Sequence, residues 1–598
     1  MTATLDLWPI GNCQVSALVD RAGRFVWGCT PRVDGDPAFC SLLDDAPPAG
    51  DAAFGFWEID LDGVVETTQS YLRNTPVLVT QHVDDRGNAI EVIDFCPRFK
   101  RSGRIYRPVA FARIVRPLAG SPRIRVRLRP ARQWGASRAP TTRGSNHIRY
   151  QVDSSVLRLS TTAPIGWLED ERLFRVERPL HFFLGPDESF VGEIGSTLES
   201  MLDLTIEEWR HWVRGLATPY EWQEAVIRSA ITLKLCQHEE TGAIVAALTT
   251  SIPEHAGSGR NWDYRYCWVR DAYYTVQALN RLGALDVLEG YLEYLRNIVD
   301  NAARGHIQPL YGVGGEATLV EREAPSLSGY RGMGPVRVGN QAYEQVQHDA
   351  YGQIILSNAQ AFFDHRLLRV AGVEDFEALE PVGERAWTNF DKPDAGLWEL
   401  RTKSHVHTYS AAMCWAACDR LANAAEVLGL AERHSFWADR AAHICARIEQ
   451  AAWRADSNRL SATFVGDDLD ASLLQLLDLR FLAPDDPRFV GTLEAVETGL
   501  RRGSHMLRYA IEDDFGLPYT AFNVCTFWLI EALHFTGRDD DARLLFDEML
   551  SRRTPAGLLS EDIDPVTGEL WGNYPQTYSL VGLINCAVLL SKPWSAIR

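Results

Sequence analysis

Two short stretches, Gly396-Leu397-Trp398-Glu399 and Ser560-Glu561-Asp562-Ile563-Asp564, each set a carboxylate beside groups suited to holding a sugar. Cleaving a glycosidic bond with inversion takes two carboxyls. One is protonated and gives its proton to the departing oxygen, and the other is ionised and takes a proton from the attacking water. The two therefore need different surroundings. Glu399 follows an indole, which can exclude water and raise the carboxyl pKa, whereas Glu561 lies in a polar run where ionisation is easier, with Asp562 and Asp564 opposing it. Asp562 competes with Glu561 for the role of base. A Trp-Glu pair alone carries little weight, since most glutamates are solvated surface groups.

A third stretch, Arg260-Asn261-Trp262-Asp263-Tyr264-Arg265-Tyr266-Cys267-Trp268-Val269-Arg270-Asp271, runs straight into a helix beginning near Ala272. Arg270 and Asp271 supply a donor and an acceptor that can grip adjacent hydroxyls of one ring, and Trp262 and Trp268 offer flat faces for its CH surface. The same residues also suit a capped helix start with an ion pair and core aromatics.

These stretches need a scaffold, and the apolar periodicity describes one. Up to Pro186 it is two, as in Trp57, Ile59 and Leu61, with hairpins predicted over Val77–Phe95, turned at Asp84-Asp85-Arg86-Gly87, and over Val15–Trp27, turned at Arg21-Ala22-Gly23-Arg24. Many short strands of this kind make a sandwich of antiparallel sheets. Arg123, Arg125, Arg127 and Arg129 alternate with Ile124, Val126 and Leu128, the wet face of a strand rather than a binding patch. After Asp187 the spacing becomes helical. Trp222, Ala225, Val226, Ser229, Leu233 and Cys236 share one helix face, and further helices are predicted over Tyr273–Leu282, Leu285–Val299, Asp349–Phe363, Ser410–Leu428, Ala431–Ala452, Ala471–Leu477, Arg488–Leu500, Ala521–Phe535, Asp540–Ser551 and Tyr578–Leu590. So many helices, broken by Gly- and Pro-rich loops, fit a closed double ring whose loops hold the site at one mouth. The loops Ser251–Asp263 and His306–Gln341 are long enough to be functional. The expected division is a sandwich over 1–186, a helical linker over 187–218 and the helical ring over 219–598.

Composition narrows the function. With 46% hydrophobic and 23% charged among 598 residues, the chain is globular and large enough for two domains. Its 79 acidic against 60 basic residues, a formal charge of −19, repel nucleic acid and anionic membranes. The eleven cysteines contain no Cys-x-x-Cys, and Cys414 and Cys418 lie in an apolar helical stretch, so they read as buried hydrophobes. No secretory signal or membrane-spanning run is visible, which makes a cytoplasmic address the expectation.

The Arg260–Asp271 stretch resembles the signature of glycoside hydrolase family 15, the glucoamylase family, and further blocks of that family follow in order. They are Ile10-Gly11-Asn12-Cys13, Trp27 and Pro31-Arg32, then Gly329-Tyr330-Arg331-Gly332 with Pro335-Val336-Arg337-Val338-Gly339-Asn340, then Gly396-Leu397-Trp398-Glu399, Thr526-Phe527-Trp528, Gly557-Leu558-Leu559-Ser560-Glu561 and Gly572-Asn573-Tyr574-Pro575-Gln576. The resemblance covers nearly the whole chain. It implies a β-sandwich domain followed by an all-α (α/α)6 barrel (six-hairpin toroid), and exo-acting, inverting release of β-glucose from short α-glucosides. It also implies a small oligosaccharide or disaccharide as substrate, with no metal or organic cofactor. A homo-oligomer is compatible with this. By position Glu399 resembles the general acid and Glu561 the general base, Arg270 and Asp271 resemble the clamp on the non-reducing glucose, and Trp268, Tyr330, Arg331, Arg337 and Trp398 resemble subsite residues. Three departures leave the linkage open among trehalose, isomalto- and malto-oligosaccharides. Gly516-Leu517-Pro518-Tyr519-Thr520-Ala521 stands where many bacterial relatives carry Gly-Gly-Glu-Gly, Leu580 stands where His is common after Ser579, and Ala317 follows Glu316 where Arg is usual. An inverting disaccharide phosphorylase, which needs no carboxylate base, and a non-catalytic sugar-binding protein are the alternatives.

Overall fold

The computed structural model describes residues 3–44, 52–153, 155–302 and 306–597. Met1, Thr2 and Arg598, at the outer ends of the expected division, lie outside these residues. In Phe56–Leu61 the strand pleat buries Trp57, Ile59 and Leu61 and leaves Glu58 and Asp60 partly exposed. Both expected hairpins form because a carboxylate caps each turn. Asp20 accepts the amides of Ala22 and Arg24, and Asp84 those of Arg86 and Asn88.

The strands build two antiparallel sheets. One has seven strands, with Leu7–Gly11, Ser16–Asp20, Phe25–Thr30, Phe56–Leu61, Arg123–Arg129 and Phe174–Arg175 in that order and Asp36–Phe39 added on Phe25–Thr30. The other has eight, in the order Thr141–Arg143, His147–Val152, Ser155–Thr161, Leu180–Pro186, Phe111–Ala119, Ala89–Phe95, Leu78–Asp84 and Val64–Tyr71. Phe25 and Phe39 of the first meet Phe111 of the second at ring-centroid distances of 6.0 and 5.6 Å. Arg113 pins them together, pairing with Asp94 across its own sheet at 2.7 and 3.0 Å and donating to the Trp57 and Gly23 carbonyls of the other. The arginine row of Arg123–Arg129 is less open than its alternation suggests. Arg127 bridges Glu58 and Asp60, and Arg129 is buried against Glu171.

The remaining chain is helical. Helix α1 (Ile165–Glu169) is one short turn within the sheet part, and α2 (Ile194–Arg214), capped by the Glu193 carboxylate on the Gly195 and Ser196 amides, leads out of it. There follow α3 (Gln223–Leu235), α4 (Val269–Arg281), α5 (Leu285–Ala302), α6 (Asp349–Ala359), α7 (Val373–Asn389), α8 (Thr408–Val427) and α9 (Ala431–Ala452). The last are α10 (Gln475–Asp478), α11 (Pro487–Leu500), α12 (Asn523–Phe535), α13 (Asp539–Ser551) and α14 (Thr577–Leu590). Helix α7 was not expected, because Pro381 inside it breaks the apparent pattern. Helix α12 starts two residues later than expected, because Ala521 and Phe522 pair as a strand with Ile563 and Asp562. Neighbour packing runs in a circuit: α4 on α6, α6 on α8, α8 on α10, then through the turn Ala471–Leu474 to α12, α14 and back to α4. Helices α5, α7, α9 and α13 each pack against members of this circuit.

All eleven cysteines are free thiols, buried except for Cys445. Among the described residues no helix is long and apolar enough to cross a membrane.

Removing one partner of a buried, hydrogen-bonded pair strands the other charge. Arg113→Met should therefore lower unfolding stability by about 3–5 kcal/mol, read as a fall in the urea midpoint; a loss too small to measure would show that the pair does not join the sheets.

Candidate active site

The floor of the site is the segment before α4. Asp263 and Arg265 form a fully buried ion pair at 2.7 Å, and the guanidinium continues to the Gly35 carbonyl (2.6 Å) and over Trp134 (4.7 Å) in the sheet domain. Asn261 donates to the carbonyls of Met333 and Pro335. With its backbone so tied, Cys267–Trp268 pairs with Leu310–Tyr311, and α4 begins at Val269. Tyr264 and Trp268 come together edge to face at 5.4 Å, and Arg270 and Asp271 occupy the first turn of the helix.

Glu399 sits at the end of a tight loop. Asp394 pairs with His405 through the backbone, and its carboxylate accepts the His348 amide and the Ser410 hydroxyl, each at 2.8 Å. Burial, and Asp349 nearby, push Asp394 up to about 8. Gly396 turns the chain at φ +69° with the His407 ring against it, where an added Cβ would lie 2.6 Å from His407 Nε2. Glu399 is itself left-handed at φ +61°, and its Oε1 accepts the Trp268 indole N–H at 2.5 Å and faces Arg270 Nη2 at 3.4 Å. Trp398 turns away from the carboxylate that follows it and donates to Asp470 at 2.6 Å. The group that reaches Glu399 is therefore the indole of Trp268.

Glu561 precedes the short strand Asp562–Ile563, which lies between Ala521–Phe522 and Leu570–Trp571. Asn523 and Ser579 both donate to the Ser560 carbonyl and hold the approach. Gly572, at φ +74°, leaves room behind the side chain, since a Cβ there would lie 2.7 Å from Glu561 Cβ. Glu561 Oε1 accepts the Tyr264 hydroxyl at 2.5 Å. The environment differs from the polar run expected. Glu561 is 1% exposed, and burial, Asp562 and Glu254 push its carboxyl well above the usual range, opposed by the Tyr264 hydroxyl and Arg508. Asp562 is likewise raised, chiefly by burial and then by Glu254; it accepts the Thr520 hydroxyl at 3.0 Å and does not line the cavity.

Glu399 and Glu561 face one cavity, the concave kind of site that small ligands occupy. Trp268, Arg270, Asp271 and Trp398 also line it. Arg270 Nε lies 3.2 Å from Asp271 Oδ2, and its Nη1 donates to the Leu397 carbonyl at 2.7 Å, which ties the clamp pair to the acid loop. Burial raises Asp271 to about 6, with Arg270 opposing. Beyond that ion-pair contact with Arg270, Asp271 Oδ2 is buried and accepts no hydrogen bond. Tyr330 and Arg331 lie elsewhere: the Tyr330 hydroxyl and Arg331 Nε both donate to the Ala3 carbonyl, and Arg331 packs over Trp571. Arg337 lies 5.4 Å from the Trp262 ring and pairs with Glu321, bracing the wall without lining it.

Tyr264, Glu254, Arg260, Arg401, Arg508 and the 513–515 run, to which the sequence alone assigns no role, also line the cavity with Trp262. Glu254, Arg260 and Tyr264 lie in stretches already singled out; Arg508 and the 513–515 run carry no local signal. Among the described residues no group of three His, Cys, Asp or Glu side chains is arranged to hold a metal ion.

Residues 221–588 match the family described as glycosyl hydrolases family 15. The trehalase of Mycobacterium tuberculosis is 32% identical over 97% of this chain and 88% of its own length. That of Mycolicibacterium smegmatis is 32% identical over 97% and 90%, and that of Thermoplasma volcanium 30% identical over 98% and 93%. A crystal structure of a bacterial glucoamylase complexed with acarbose shares the fold at TM-score 0.67 and 14% identity, covering 98% of this chain and 94% of that one.

Two outcomes follow from this geometry. Gly396→Ala forces a left-handed alanine, at roughly 1–2 kcal/mol, onto the His407 ring, and should lower kcat/KM at least about tenfold by displacing Glu399; unchanged kinetics would separate the loop from the site. Asp394 and Asp271 have folded pKa values, about 8 and about 6, above the unfolded value of 3.8, so burial favours their protonated forms. Their contribution to stability is complete below that unfolded value and is lost as pH rises through 6 and then 8. Asp394→Asn should flatten the fall of Tm between pH 4 and 8; a parallel shift of the whole curve would refute the assignment.

Proposed function

The chain belongs to glycosyl hydrolases family 15, and from that premise we propose that it hydrolyses the α-glucosidic bond of trehalose by a single displacement with inversion. It is a glycoside hydrolase of α-glucosides; the substrate and the stereochemistry are our reading. The observation that carries it is the pairing of two carboxylates on one cavity, each held by a donor from the segment Tyr264–Trp268. Trehalose is favoured by the similarity, over nearly the full length, to chains named trehalases.

In this reading the glucose to be transferred lies against Trp268 with its hydroxyls between Arg270 and Asp271, whose Oδ2, in ion-pair contact with Arg270 but accepting no hydrogen bond, supplies an acceptor. Glu399 protonates the departing oxygen. Its Oε1 is occupied by the Trp268 N–H, so the proton is carried on the other oxygen. Glu561 takes a proton from the water that attacks from the opposite face of the ring. The Glu561–Asp562 pair is reluctant to ionise twice. Arg508 favours ionisation of both, as do the Tyr264 hydroxyl on Glu561 and the Thr520 hydroxyl on Asp562; Glu561 is the one that lines the cavity, so we assign it as the base. We read the helix circuit as an (α/α)6 barrel spanning 219–598, joined by the linker 187–218 to a β-sandwich over 1–186.

Inversion at one carbon of trehalose releases one β-glucose from the attacked ring and one α-glucose from the departing ring. Proton NMR of the first turnovers should show the two in equal amounts; two α-glucose molecules would mean retention. Glu399→Gln and Glu561→Gln should each lower kcat by roughly 10²–10⁴-fold or more, whereas Asp562→Asn, which mimics the protonated acid, should retain activity to within about tenfold at neutral pH. An Asp562→Asn loss as large as that of Glu561→Gln would move the base to Asp562.

A further inference from the structure

The outer cavity wall is made where two distant segments meet. One is Leu400–Lys403, which continues the loop of Glu399; the other is residues 512–516. The Asp514 carboxylate joins them, accepting the backbone amides of Arg401 (2.5 Å) and Thr402 (3.2 Å) and the Thr402 hydroxyl. Lys403 donates to the Glu512 carbonyl at 2.5 Å. Charge-assisted bonds of this kind to backbone amides are strong and directional, so the two segments are held in one register.

The side chains presented inward are equally restrained. Phe515 meets Trp262 edge to face at 5.1 Å, and the Arg401 guanidinium lies 4.3 Å over Trp262 while Glu321 and Gln341 hold its nitrogens. Asp513 grips Arg260 with two bonds of 2.6 Å and accepts the Phe515 amide. Trp262, Arg260, Arg401, Asp513, Asp514 and Phe515 line the cavity, and no hydrogen bond links any of them to Arg270 or Asp271.

We infer that Asp514 is a specificity-determining positioning residue: by stapling residues 512–516 to the backbone that follows Glu399, it builds a rigid wall on the leaving-group side that receives one sugar ring and turns away longer chains. The inference rests on the proposed hydrolysis of a disaccharide. A wall held by the Asp514, Asp513–Arg260 and Arg401–Glu321 bonds cannot yield to a third ring without breaking several of them at once. It also orders the leaving-group side before the substrate arrives, which lowers the ordering cost of binding.

The test compares the enzyme with Asp514→Ala, Asp514→Asn and the milder Thr402→Val on three substrates: α-glucosyl fluoride, whose leaving group does not reach the wall, trehalose, and maltotriose. With Asp514→Ala the trehalose-to-fluoride ratio of kcat/KM should fall at least about tenfold, on the scale of one lost charge-assisted hydrogen bond, chiefly through KM for trehalose. The maltotriose-to-trehalose ratio should rise by a similar factor. Asp514→Asn and Thr402→Val should move both ratios in the same direction by less. Ratios unchanged in Thr402→Val and in whichever Asp514 variant folds, judged by Tm, would overturn the inference. If the parent enzyme hydrolyses α-glucosyl fluoride but not trehalose, the substrate reading fails instead.

Discussion

Two hydrogen bonds set the geometry on which the rest of this site depends: Tyr264 hydroxyl to Glu561 and Trp268 indole to Glu399. The partners are 297 and 131 residues apart in the chain, yet the two donors are near neighbours, edge to face at 5.4 Å. The spacing of the two acids is thus inherited from a rigid aromatic pair and not left to two independent loops. Aromatic side chains suit this task because they combine a stiff apolar body with one directed polar atom. The pair is kept in place by the buried Asp263–Arg265 bridge. Such bridges add little net stability but tolerate no misplacement once formed, so this one contributes position more than energy.

Arg265 also explains the sheet domain, which supplies none of the cavity lining. Its strands and loops meet the back of the segments that surround the cavity. Trp27 donates to the Leu248 carbonyl, Leu7 accepts from Tyr574, and Arg228 reaches the Thr75 carbonyl while stacked on Tyr71. Tyr330 and Arg331 belong to this joint through Ala3. Several of the sequence blocks that resemble the family are therefore fastenings between the two parts. A site assembled from long loops needs such backing, because loops carry few backbone hydrogen bonds of their own.

The electrostatics are governed by crowding. Burial raises Glu561 and Asp562 first; Glu254 raises both further and Asp562 adds to the rise of Glu561, against Tyr264 and Arg508 on Glu561 and Arg508 on Asp562. Burial strengthens both the repulsion and the pairing.

From the residues alone, the alternation before Pro186 and the helical spacing after it were legible, and the family resemblance singled out Glu399, Glu561, Arg270 and Asp271. Periodicity and residue type are local properties, and strands, helices and donor–acceptor pairs announce themselves locally. Helix α7 escaped because one proline outweighed its pattern. The source of Glu399's indole partner, the burial of Glu561 and the seats of Tyr330 and Arg331 were decided only by the tertiary structure. Each of these depends on which distant segment lies across the gap: Trp268 displaces Trp398, the strand Asp562–Ile563 draws Glu561 inward, and Ala3 captures the Tyr330–Arg331 turn. A linear sequence states what a side chain can bond to, but its environment is set by chain neighbours hundreds of residues away, and desolvation and hydrogen-bond geometry exist only once those neighbours have met.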